Sequence, residues 1–194
     1  MTNMLQAPDE AASALDERGY LVLRGAVPAD AVEAALRHVH VDLVTRGLSA
    51  ETIGTWLWSA HWFPHLKWDP PIAGLVDHLP AKLRDGELCD PQIVLQPPDT
   101  CDDQPLVSHV DQEPEWADGR PYRRILGVAL TAGRGSNGGL VVWPFDGEHE
   151  ALDLAPGDVV VLHPRLPHSS GLNREGSIRY AVYFRFLTPA VDAA

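Results

Sequence analysis

Residues 155–187 read APGDVVVLHPRLPHSSGLNREGSIRYAVYFRFL, and no other stretch constrains the architecture as tightly. A turn cluster, Ala155-Pro156-Gly157-Asp158, leads into a four-residue apolar run, Val159 to Leu162. Pro164 and Pro167 break the chain, and a second run extends from Ile178 to Leu187. Short runs of β-branched and aromatic residues between Gly, Pro and Asp punctuation read as strands rather than helices. The same grammar holds upstream. Ile93 to Leu95, Leu106 to Val110, Ile125 to Leu130 and Leu140 to Trp143 are short apolar runs, and Gly133-Arg134-Gly135-Ser136-Asn137-Gly138-Gly139 is a long turn signal. Strands at this spacing predict an all-β sandwich or barrel and not a parallel α/β sheet.

Before residue 90 the chain changes character. Residues 1–8 read as a loose tail, and 9–90 as a helical front part packed outside the β core of 91–188. A short helix over Asp9 to Arg18 stops at Gly19, and Tyr20 to Leu23 reads as a strand. Val32, Leu36, Val39 and Leu43 recur at helical steps before the stop signal of Gly47. Ile72, Leu75, Val76 and Leu79 suggest a further helix, ended by Pro80. No repeat, linker or charge block divides the chain, so 1–194 is expected to form a single domain.

The chain has 194 residues and a formal net charge of −12. That field repels phosphate backbones, which argues against nucleic acid as a partner. Two cysteines, Cys89 and Cys101, are too few for a disulfide scaffold. The N-terminus lacks a basic region followed by an apolar run, and no stretch reaches the roughly 18 apolar residues of a membrane span. A cytoplasmic location, with neither nucleic acid nor membrane as partner, is the expectation. The sequence leaves the oligomeric state unknown.

The chemistry centres on His109-Val110-Asp111. In a strand, residues i and i+2 share a face, so an imidazole and a carboxylate would project together. Two ligands of this kind with one distant histidine make a facial triad, which leaves three metal positions open and suits non-haem Fe(II) oxygen chemistry. Zinc is disfavoured but remains open. Alone, His-x-Asp is a weak signal in a chain with nine histidines. His168 sharpens it, because Ser170 follows closely and Arg179 stands eleven residues on. A guanidinium fork suits a carboxylate, and a nearby hydroxyl adds a further hydrogen bond. Against this, Ile178, Tyr180, Val182, Phe184 and Phe186 share one parity and Arg179, Ala181, Tyr183 and Arg185 the other. Alternation alone assigns the arginine face to solvent. A lumen that holds a polar site inverts that assignment, and the pattern does not decide.

Together these segments resemble the phytanoyl-CoA dioxygenase family of Fe(II)/2-oxoglutarate oxygenases. The likeness runs from about Gly19 to Leu187 and rests on Gly19 to Ala26, His109-Val110-Asp111, Ser136-Asn137-Gly138-Gly139-Leu140, Ala155 to His163, and His168-x-Ser170-Gly171 with Asn173 and Arg179. The last group is the most specific. The resemblance implies a double-stranded β-helix, or jelly roll, with helices outside. It implies Fe(II) on His109, Asp111 and His168, O₂ as oxidant, and 2-oxoglutarate on Arg179 with Ser170 and Gln96 assisting. It also implies hydroxylation-type chemistry, since related halogenases lack the carboxylate that Asp111 supplies. Where the family usually has Pro-Gly-Ser-His after its Asn-Gly turn, this chain has the longer Trp143-Pro144-Phe145-Asp146-Gly147-Glu148-His149.

The substrate is expected to be a small molecule, with a natural-product intermediate ahead of a fatty acyl thioester. Trp56, Trp58 and Trp62 line an entrance or serve as packing residues. Gln112, Glu113 and Trp116 are placed to reach a substrate; Arg123 and Arg124 read better as surface residues, and His163 is not taken as a ligand. Two other readings remain: a cupin-like metalloenzyme that does not use 2-oxoglutarate, and a non-catalytic jelly-roll binding protein.

Overall fold

A computed structural model describes residues 15–48, 63–98, 108–111 and 120–188. The expectations for the N-terminal tail, the start of the first helix, Cys101, Trp56, Trp58, Trp62, Gln112, Glu113 and Trp116 lie outside the described residues, as do the first two residues of the run from Leu106 to Val110.

The architecture is mainly β, with antiparallel sheets and helices gathered outside: a jelly roll. The major sheet has five strands in the order β1-β6-β3-β8-β2. They are β1 (Tyr20–Leu23), β2 (Glu87–Gln96), β3 (Tyr122–Ala129), β6 (Val159–Leu162) and β8 (Arg179–Leu187). The minor sheet is β5-β4-β7, from β4 (Leu140–Val142), β5 (Glu150–Ala151) and β7 (His168–Ser170). The front part supplies helix α1 (Ala29–Thr45), a four-residue helix α2 (Pro70–Ala73), and 3-10 turns at Gly74–His78 and Ala81–Leu83. The helix expected over residues 72–79 is thus one α turn that tightens into 3-10 geometry.

Both faces of the major sheet are covered, and this determines where the site can be. On one face Leu126, Val128, Val159, Val161, Val182, Phe184 and Phe186 pack against Val32, Ala35, Val39 and Leu43 of α1 and against Ile72 and Leu75. Each large apolar side chain buried here contributes about 1.5–3 kcal/mol relative to exposure. Leu36, expected in that stripe, is half-buried, and Ala35 takes the fully buried position. On the other face Tyr20, Ile125, Ala129, Val160 and Leu162 meet Leu140 and Val142 of the minor sheet. The space between the sheets is apolar at that end and polar beside β8 and β2.

Buried polar groups fasten the turns. Asp158, 3% exposed, accepts from Arg24 Nη1 at 2.6 Å, from the Gly25 N–H at 2.8 Å and from the Ala155 N–H at 2.9 Å, so one carboxylate joins the end of β1 to the turn before β6. Asn173, fully buried, donates to the carbonyls of Gln96 and Ser177 at 2.8 Å each and accepts from the Glu175 N–H at 3.0 Å. Its carboxamide therefore sets the last residue of β2 against the turn that feeds β8. Pro91 sits inside β2, which is tolerated because β2 is an edge strand of the sheet.

Candidate metal centre

The residues quoted from two distant segments meet through the backbone. His109 forms an isolated antiparallel bridge with His168. Each N–H donates to the other residue's carbonyl at 2.9 Å. Directly opposed residues in such a pair present their side chains on the same face. The two imidazole centroids are accordingly 4.5 Å apart. Asp111, two residues beyond His109, turns its carboxylate to the same place. Its Oδ1 lies 3.6 Å from His109 Nε2 and 3.9 Å from His168 Nε2. Among the described residues, one donor atom from each of these three side chains falls within 4.8 Å of the others.

The tautomer of His168 is set locally. Its Nδ1 lies 3.0 Å from the Leu166 carbonyl oxygen. A carbonyl only accepts, so Nδ1 is the donor here and Nε2 is the nitrogen turned to the centre. His168 is buried, whereas the side chain of His109 is 55% exposed. Partial desolvation of its inward side holds the His109 imidazole below its ordinary pKa; adjacent His168 and Arg185 push the same way and Asp111 opposes them. Two imidazoles with a carboxylate are a donor set suited to a divalent transition metal.

Arg179 overturns the alternation reading of β8. It is 3% exposed. Its face of the strand is turned to the space between the sheets, and the opposite face is occupied by the helices, so neither parity meets solvent. Arg179 Nη2 donates to Ser170 Oγ at 3.4 Å. Its Nε is buried and has no hydrogen-bond partner among the described residues. A buried donor without a partner is costly. That vacancy of partners, beside a hydroxyl and two residues along β7 from His168, fits an acidic ligand. Gln96 is the direct cross-strand partner of Arg179, and its side chain lies over Gly138, where a Cβ would clash with Gln96 Cγ.

The other candidates stand apart. Arg123 and Arg124 both pair with Asp85, and Arg124 also donates to the Lys82 carbonyl, so they staple the start of β3 to the 3-10 turn. Arg124 is not a surface residue as expected: its side chain is 13% exposed. His163 packs edge-on against Phe145, away from the triad. Among the described residues, one site residue escaped the sequence reading. Arg185, noted there only for its parity, donates to Asp111 Oδ2 at 3.2 Å. Its signal was present in the parity it shares with Arg179.

No family model matches the chain, and no curated protein matches it either. Solved structures do. The non-haem α-ketoglutarate-dependent carbocyclase SnoK from nogalamycin biosynthesis is 17% identical, with a TM-score of 0.64 over 96% of this chain and 86% of that one. EctD from S. alaskensis with bound Fe is 21% identical, with a TM-score of 0.66 over 97% and 79%. HygX from Streptomyces hygroscopicus, with nickel and 2-oxoglutarate bound, is 15% identical, with a TM-score of 0.63 over 95% and 88%. At these identities the likeness establishes the fold, the jelly roll on which those Fe/2-oxoglutarate enzymes are built.

Proposed function

We propose that the chain, as one domain over 1–194, is an Fe(II)- and 2-oxoglutarate-dependent dioxygenase of the phytanoyl-CoA dioxygenase type. It hydroxylates an aliphatic C–H of a small molecule, with a natural-product intermediate as the leading substrate class. The observation that carries this reading is the pairing of two features along β7: three metal-type donors within 4.8 Å of one another, and a buried guanidinium with an unused donor that reaches Ser170, two residues from His168. A plain metal-binding jelly roll accounts for the first and leaves the second unexplained.

His109, Asp111 and His168 would hold the iron and leave three positions on the far side open. Iron with 2-oxoglutarate and O₂ supplies an oxidant for C–H bonds, with succinate and CO₂ released from the co-substrate. The residues contribute position. The guanidinium of Arg179 and the Ser170 hydroxyl would take the distal carboxylate of 2-oxoglutarate, with the Gln96 side chain alongside. Leu140 and Val142, the cross-strand partners of Ser170 and His168, belong to a buried apolar cluster that would limit water near the reacting groups. The natural-product class is supported by the fold neighbour SnoK, which comes from nogalamycin biosynthesis.

The test is an anaerobic titration of the Fe(II)-loaded protein with 2-oxoglutarate. A visible charge-transfer band is expected on chelation, followed by succinate release when O₂ and substrate are admitted. Metal uptake without the band would favour the cupin-like alternative. Failure to take up Fe(II) would favour the non-catalytic one.

A further inference from the structure

We propose that Arg185 is a positioning residue for the metal centre, holding one oxygen of Asp111 so that the other alone faces the two imidazoles. This rests on the triad assignment above and extends it to a residue outside the ligand set.

The carboxylate of Asp111 is divided between two environments. Oδ1 is the oxygen near both histidines, at 3.6 Å from His109 Nε2 and 3.9 Å from His168 Nε2. Oδ2 lies 3.2 Å from Arg185 Nη2. Both side chains are withdrawn from water, at 14% exposed for Arg185 and 11% for Asp111. A carboxylate can ligate through one oxygen or through two. An oxygen held by a guanidinium is oriented away from the metal position, so Asp111 offers one ligand atom. The three donors would then take three positions of a six-coordinate ion and leave three, the number that a chelating keto acid and O₂ together require.

The strand makes this arrangement rigid. Arg179 and Arg185 are six residues apart on β8, share its cleft face, and are separated by about 20 Å at the rise of an extended strand. Ala181 and Tyr183 lie between them on the same face of the strand. β8 is bonded on both sides, to β3 and to β2, so it does not slide. One stiff element thus sets a cation against the metal-binding carboxylate and a second cation where the co-substrate ends.

The experiment compares the full-length chain with Arg185→Met, Arg185→Gln and Arg185→Lys. Fe(II) affinity is measured anaerobically, the 2-oxoglutarate charge-transfer band is recorded on each loaded protein, and the melting midpoint is followed on the metal-free chains. Groups that orient a metal ligand change metal affinity by about 10- to 100-fold when removed. Arg185→Met is expected to lose Fe(II) affinity in that range and to shift or weaken the band. Arg185→Lys, which keeps the charge, is expected to recover most of it. A purely structural salt bridge would lower the melting midpoint of the metal-free chain and leave affinity and band unchanged; that result overturns the proposal. If the methionine variant does not fold, Arg185→Gln carries the reading, with the same loss expected and an unchanged affinity again overturning it. Wild-type protein that takes up no Fe(II) would remove the triad assignment and this proposal together. Wild-type uptake matched by both uncharged variants would remove this proposal alone.

Discussion

His109 and His168 are held opposite each other by their own backbones, through two N–H···O bonds of 2.9 Å, while their rings stand 4.5 Å apart. Neither ring is needed to keep the two segments together, so chemistry and architecture can be separated at this pair. His109→Ala and Asp111→Ala are each expected to reduce iron-dependent succinate release to background while the far-UV circular dichroism stays native. For the exposed His109 the stability change is expected within about 0.5 kcal/mol. Wild-type rates in either variant would remove that residue from the proposed centre.

Arg179→Met is expected to act on a different step. Loss of a buried charged partner for a carboxylate costs about 3 kcal/mol, which corresponds to about a 100-fold rise in the 2-oxoglutarate needed for half-saturation. Fe(II) affinity without co-substrate is expected to be unchanged. Two titrations, one of metal and one of 2-oxoglutarate, check this, and a variant that lost metal affinity first would contradict it.

Gly127 makes room for Tyr183, which shares the β8 face of Arg179 and Arg185. A Cβ at Gly127 would stand 2.5 Å from Tyr183 Cε1 and 2.9 Å from Val160 Cγ1. Gly127 and Tyr183 are cross-strand partners, so the ring has to rise towards the cleft if the space beneath it is filled. Gly127→Ala is expected to destabilise by about 1–3 kcal/mol and to weaken 2-oxoglutarate binding along with it. Chemical denaturation and the same titration measure the two effects. A destabilised variant with normal co-substrate affinity would place Tyr183 outside the binding space.

Tyr20 gives a pH-dependent expectation. Its hydroxyl donates to Glu150 Oε1 at 2.6 Å, and Arg18 Nη2 donates to the same oxygen at 2.6 Å. Burial first, and then the Glu150 carboxylate, push the phenol from 10.0 up to about 12. The folded chain therefore holds this proton more tightly than the unfolded chain. The stability it contributes is complete below pH 10.0 and is lost as pH rises through about 12. Tyr20→Phe is expected to be about 1.5 kcal/mol less stable than wild type at neutral pH, and that difference is expected to shrink between those limits. A gap that stays constant across the alkaline range would contradict the linkage.

Much of the fold could be read directly from the chain. β6 runs over Val159–Leu162, the span its turn signal and apolar run predict, and α1 ends at Thr45, just before the stop signal of Gly47. His109, Asp111 and His168 converge because i, i+2 spacing and the bridge to β7 act together. Three features were not legible, each for a physical reason. β7 is the polar triplet His168-Ser169-Ser170, which has no apolar alternation to announce it and is a strand through its pairing with β4. The face of Arg179 could not be read from parity, since that rule presumes one wet face and this sheet has none. Arg185 was hidden because its partner Asp111 lies 74 residues away.

The burial of β8 on both faces has a corollary for change in the chain. One inserted or deleted residue within Arg179–Leu187 would exchange the two faces, driving guanidinium groups into the hydrocarbon beneath α1 and bringing phenylalanines into the cleft. Single substitutions there are local events; a shift of phase is not. Tolerance of altered length therefore belongs to the bend between Gly171 and Ile178, and there it ends at Asn173, whose carboxamide ties that bend to Gln96. Recombination or loop grafting aimed at new activity has its freedom in the neighbouring turns, with β8 transferred whole.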